Sequence, residues 1–128
     1  LQKIKISSVH HSIETSNFGA RDLSTSESII GLGKKINLKS FNLDFAELHT
    51  QFTYEIPFIR GLLDLGNIDI NLSGGPLAGN VMMAAGLDSI GKSFELLKNS
   101  DFHNGLAHAS SGPCLQQNML VHLEKIND

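Results

Sequence analysis

Three stretches of this chain carry residue types suited to chemistry: Glu47-Leu48-His49-Thr50-Gln51-Phe52, the run from Ser73-Gly74-Gly75 to Gly79-Asn80, and His108-Ala109-Ser110-Ser111-Gly112-Pro113-Cys114. In the middle run, glycine permits positive φ and close approach of backbone to a ligand, and the helix that follows offers free N–H groups to an anion or a developing oxyanion. Ser73, Gly74, Gly75 and Gly79 are therefore candidate substrate-binding positions. His49, at a strand-to-helix corner, can serve as acid, base or hydrogen-bond donor near neutral pH, or can be a structural histidine. Asn80 can polarise a carbonyl oxygen through its amide, or can cap the helix beginning near Val81. Ser110, Ser111 and Gly112 form a turn whose hydroxyls can bind a ligand or satisfy backbone groups. Met82 and Met83 fit core filling better than a pocket wall. His108 is expected in the pocket wall, and His10, His11, His103 and His122, with no partner pattern, as structural or surface residues.

The elements needed to position these residues are legible as alternating patterns. Residues 4–10 read as a strand, and the polar stretch 12–28 as a loop entering a capped helix over 27–36, with Ile29, Ile30 and Leu32 inward. A second strand is expected over 42–48, a helix over 52–65 with Pro57 in its first turn and Phe58, Leu62 and Leu65 on one face, and a third strand over 67–72. A helix over 79–97 and two strands, 105–109 and 119–123, complete the order βαβαβαββ. That order predicts an α/β fold, a mixed sheet layered with helices, with parallel pairing through right-handed crossovers and the last two strands forming an antiparallel edge. Ligands of such sheets collect beyond the carboxyl ends of the strands, where all three stretches lie.

The chain has 128 residues, 41% of them hydrophobic, enough for one domain spanning residues 1–128. A net charge of −3 spread without runs argues against a nucleic-acid surface or a polybasic membrane patch. Its single cysteine, Cys114, fits a reducing compartment, so a cytoplasmic location is expected, and no Cys/His spacing suggests a metal site. No apolar run is long enough to span a bilayer. The start at Leu1 gives the look of a piece of a longer chain.

Glu47-Leu48-His49 with Phe52, the Ser73-Gly74-Gly75 turn, the helix holding Gly86-Leu87 and the βαβαβαββ order resemble the C-terminal half of the thiolase superfamily across nearly the whole chain, in its sterol-carrier-protein-type, thiolase-like branch. His49-Thr50-Gln51-Phe52 is similar to the His-Asp-Cys-Phe of that branch, and Asn80-Val81 stands where the family has His-Pro. The family places a proton-handling cysteine on the last turn, but the gapless register puts its counterpart near Ser111 or Gly112. Cys114 then lies beyond it, as a catalytic candidate or simply a buried thiol. The resemblance implies an acyl-CoA acyltransferase of the acetyl-CoA acetyltransferase type, making or breaking a carbon–carbon bond beside a CoA thioester, in lipid metabolism. It implies His49, Asn80 and Cys114 as catalytic residues, no cofactor beyond the acyl-CoA substrate, and a nucleophilic cysteine supplied by an N-terminal half, so that this piece alone would be inactive. Implied partners are that half, a second copy in a homodimer and, in some members, a small zinc-ribbon and OB-fold protein. The alternative is a non-catalytic acyl-CoA or lipid-binding subunit that has kept the fold.

Overall fold

The computed structural model describes residues 3–126, and along them the elements run β1 (Lys3–Ile13), α1 (Glu27–Ile36), β2 (Phe45–Glu47), α2 (Glu55–Leu63), β3 (Asp69–Ile70), α3 (Gly75–Ala78), α4 (Ala85–Asn99), β4 (Asn104–Ser111) and β5 (Gln117–Ile126). Local chemistry sets the ends. The Ser26 hydroxyl accepts the Ile29 N–H at the start of α1, Glu27 and Lys34–Lys35 complement the helix dipole at its two ends, and Asn37, left-handed at φ 51°, closes it. At the start of α2 the buried Glu55 carboxylate accepts the N–H groups of Gln51 and Phe52 at 2.5 and 3.1 Å. Helix therefore begins at Glu55 rather than at residue 52, with Pro57 in its first turn as expected.

The helix expected over 79–97 is broken in the structure. The Asn80 Oδ1 accepts the Met82 N–H at 2.8 Å, and Met82 is held at φ 52°, so only a 3-10 turn over Met82–Ala84 precedes α4. A side chain that bonds its own backbone two residues on competes with helix propagation, and here it wins.

The five strands form one mixed sheet in the order β1-β5-β4-β2-β3. Strand β2 pairs in parallel with both β3 and β4, as the alternation of strands and helices predicts. Strand β5 does pair antiparallel with β4, but it lies inside the sheet, because β1 covers its other side in an antiparallel ladder from Lys3↔Ile126 to Ile13↔Gln117. The edge on that side is β1, not β5. Ile29, Leu32, Ile59 and Leu63 of α1 and α2 pack on Ala46, Leu48, Leu106 and Leu120 on one face, while Leu97 of α4 packs with Phe45, Ala107, Val121 and Leu123 on the other. The period-2 alternation along β4 and β5 thus splits the core into two halves under separate helix layers.

A buried polar chain ties these layers together. The Asn118 Oδ1 lies 3.0 Å from His108 Nε2, and its Nδ2 donates to Ser28 Oγ and to the Leu115 carbonyl, both at 2.7 Å. Ser28 and Ser26 hydroxyls donate in turn to the Glu14 carboxylate at 2.8 and 3.0 Å, and Arg21 pairs with the same carboxylate at 3.3 Å. Asn118 is buried, and so are the residues it serves, Ser28, His108 and Leu115. Asn118→Ala is expected to lower the unfolding free energy by about 3 kcal/mol, because it orphans several buried partners at once. Urea denaturation would measure this, and a loss near that of a surface substitution would show the chain is dispensable.

Candidate functional site

Because β1, β4, β2 and β3 run in one direction and β5 runs against them, the ends of the first four and the start of β5 meet at one edge of the sheet. A cleft of about 750 Å³ opens there. Strand β1 contributes His11, the segment after β2 His49 and Gln51, and the segment after β3 Asn80, Met82 and Met83. The end of β4 adds Ala109 to Gly112, the start of β5 Gln117 to Met119, and Ala85 and Gly86 of α4 close one wall. Gly86 allows this: a Cβ there would meet the Ala109 Cβ at 3.0 Å, so a larger residue would lift α4 off β4. No Asp, Glu, Lys or Arg lines the cleft among the described residues. It is built from imidazoles, amides, hydroxyls and thioethers, which suits a neutral polarised group better than a phosphate or carboxylate.

His49 extends β2 by one more bond, its N–H donating to the His108 carbonyl at 3.3 Å, and this places its ring beside Ser110. The His49 Nδ1 lies 3.1 Å from the Ser110 carbonyl oxygen, 3.2 Å from the Ser110 N–H nitrogen and 3.3 Å from its hydroxyl. The carbonyl would be met by an Nδ1–H and the main-chain N–H by an Nδ1 lone pair, so Ser110 holds the ring in place in either tautomer and leaves Nε2 facing away from it. Nε2 has no hydrogen-bond partner among the described residues. Asn80 is held too: its oxygen is engaged by the Met82 N–H, which leaves the two Nδ2 hydrogens free. Asn80 thus offers N–H donors to the cleft, and His49 offers its Nε2 as donor or acceptor according to its tautomer.

Ser110, Ser111 and Gly112 line the cleft with them, whereas Ser73, Gly74, Gly75 and Gly79 do not. The Ser73 N–H donates to the buried Glu47 carboxylate at 3.0 Å, and the Ser73 hydroxyl donates to its other oxygen. Asn71 Oδ1 accepts the Leu48 N–H at 2.6 Å, and Gly74 and Gly75 turn the chain at φ 90° and 59°. The Ser-Gly-Gly turn therefore pins the loop after β3 onto β2 and positions Asn80 without touching the cleft. Glu47, read only as part of a motif, is what the turn is built on.

Cys114 also lies outside the cleft, and it is exposed rather than a buried thiol. It sits in a 3-10 turn at φ 50°, ψ 50°, where Arg21 binds the Pro113 and Cys114 carbonyls at 2.7 and 3.3 Å. Met82 and Met83 are 75% and 101% exposed, so they rim the cleft instead of filling core. His108 stands behind Asn118 rather than in the wall. His11 is the residue missed: its place depends on the β1–β5 ladder, which sets it opposite Met119, and no local pattern announces that pairing. His122, by contrast, is structural, stacked on Phe41 with ring centroids 4.1 Å apart.

No groups of three or more His, Cys, Asp or Glu that could hold a metal ion occur among the described residues, and no helix there is long and apolar enough to cross a membrane. No known family model matches the chain, and no curated protein matches its sequence.

Burial pushes His108 down to about 4 from 6.5, opposed by the bond to Asn118 and reinforced by the nearby His49 ring. Since the folded-state value is depressed, the unfolded chain binds the proton more readily between those limits. The resulting stability is whole above pH 6.5 and falls by about 3 kcal/mol as pH drops toward 4. Below that, Glu14, whose carboxyl is held low by Ser28, Ser26 and Arg21 despite its desolvation, adds a further loss. Urea midpoints between pH 7.5 and 4 would check this, and His108→Gln should flatten the upper part of the profile.

Proposed function

We propose that this chain is the carboxyl-terminal half of a thiolase-like acyltransferase, acting on acyl-CoA thioesters. The observation that carries the reading is the convergence of the His49 ring and the Asn80 amide, whose Nδ2 hydrogens are free, in a cleft with no Asp, Glu, Lys or Arg among its described lining residues. A thioester carbonyl is neutral in the ground state and gains negative charge on oxygen when it enolises or is attacked. Donors set in advance at that oxygen stabilise the charge without reorganising, an effect worth about 3 kcal/mol per donor. His49 and the Glu47–Ser73 clamp are the residues shared with the resemblance, and the mixed sheet with helices on both faces is compatible with it. In this reading the nucleophilic cysteine comes from the other half of the enzyme, because Cys114 lies away from the cleft.

With no cysteine among the described lining residues, a second reading is an acyl-CoA-binding subunit without turnover. Incubation of the full natural chain with acyl-CoA esters of graded length, followed by mass spectrometry, separates the two: a covalent acyl adduct supports the enzyme, and saturable binding without an adduct supports the subunit. His49→Ala and Asn80→Ala are each expected to weaken acyl-CoA affinity or turnover by about tenfold to a hundredfold, whereas Cys114→Ser should leave both unchanged. Failure of every acyl-CoA to bind would overturn both readings.

A further inference from the structure

The cleft has two unlike sides. His49, Gln51, Ser110 and Asn118 give it polar groups from the strand ends, whereas the side shared with α4 is apolar, formed by Met82, Met83, Ala85, Gly86, Ala109 and Met119. Gly86 brings that side together, since the Ala109 Cβ and the Met119 Cε lie 3.0 and 3.8 Å from where its own Cβ would stand. The apolar side continues out to the mouth, where Met82 and Met83 are 75% and 101% exposed. Asn80 Oδ1 accepts the Met82 N–H, so the residue that offers its amide to the cleft also sets where the methionines begin.

Thioether chains left in water bury no surface on folding, and contact with an apolar ligand removes that surface from water afterwards. A ligand that matches both sides has a polarised carbonyl and a hydrocarbon tail: the carbonyl meets His49 and Asn80, and the tail follows the α4 side. An acetyl group has a single methyl beyond its carbonyl and would leave that side wet. A protein segment resting on the mouth would cover Met82 and Met83, but the apolar side runs inward to Ala109 and Met119, which favours an occupant that enters the cleft. On the acyl-CoA reading above, we infer that Met82 and Met83 are the specificity-determining residues of the cleft, an apolar lip against which the hydrocarbon chain of the acyl group lies. Being unbranched and flexible, the two thioethers fit chains of differing shape, so chain length rather than branching is what they select.

The full natural chain is titrated calorimetrically with acetyl-, butanoyl-, octanoyl- and decanoyl-CoA. Affinity should rise by up to about fourfold for each methylene that reaches the apolar side. Met82→Gln combined with Met83→Gln keeps side-chain length but makes the lip polar, and should cut that step to about twofold or less. Met82→Leu combined with Met83→Leu should restore it, and Leu87→Ser, on α4 but outside the cleft lining, should leave it at the wild-type value. Thermal midpoints of the glutamine pair should match wild type, since both side chains stand in solvent. An unchanged step in the glutamine pair, or wild-type affinity independent of chain length, would overturn the assignment while leaving the acyl-CoA reading standing. Equal weakening of every ester would assign the methionines to a contact with another protein segment and overturn it as well. Binding of no ester by wild type would sink both.

Discussion

Asn118 is the joint on which the rest of this fold turns. Its carboxamide satisfies His108 on β4, Ser28 on α1 and the Leu115 carbonyl in the turn before β5, all out of reach of water. Buried amides of this kind tolerate no slippage, because a shift of one residue would orphan each partner and turn every side chain of β5 to the opposite face. The register fixed there sets Gln117 and Met119 beside Asn118 in the cleft, and through the β1 ladder it sets His11 opposite Met119.

A division of labour follows along the loop after β3. The Ser73-Gly74-Gly75 turn has the look of a ligand cradle, yet its hydrogen bonds go to Glu47 and its glycines serve chain reversal. The cleft is reached a few residues on, at Asn80, where one side chain both stops a helix and presents its amide. Capping and polarising are thus compatible roles, because the oxygen does the first and the nitrogen the second. The interrupted helix leaves Met82 and Met83 in solvent at the cleft rim, where a continuous helix over 79–97 would have carried them away.

Three helical ranges and five strands could be read along the chain, and α1 falls on the residues expected, because Ser26 and Asn37 bracket an amphipathic stretch with strong local signals. The shorter strands shrank to their paired cores: residues 42–48 became Phe45–Glu47, and 67–72 became Asp69–Ile70, since strand length depends on a neighbour that no local window contains. Of the candidate site residues, His49, Asn80, Ser110, Ser111 and Gly112 share the cleft, while Ser73, Gly74, Gly75, Gly79 and Cys114 lie outside it.

Periodicity, caps and turn residues by themselves determined the alternation of strands and helices apart from the short α3, the α/β class and the corners at which polar residues accumulate, because each of these rests on contacts within a few residues. Tertiary structure alone decided that β5 is interior, that β1 closes the sheet, and that His11 stands in the same cleft as His49. Those outcomes depend on hydrogen bonds between residues about a hundred positions apart, as in the His11↔Met119 pairing and the Gln117 bond to His11. The neighbours that hold each imidazole were decided there too, Ser110 for His49 and Gln117 for His11.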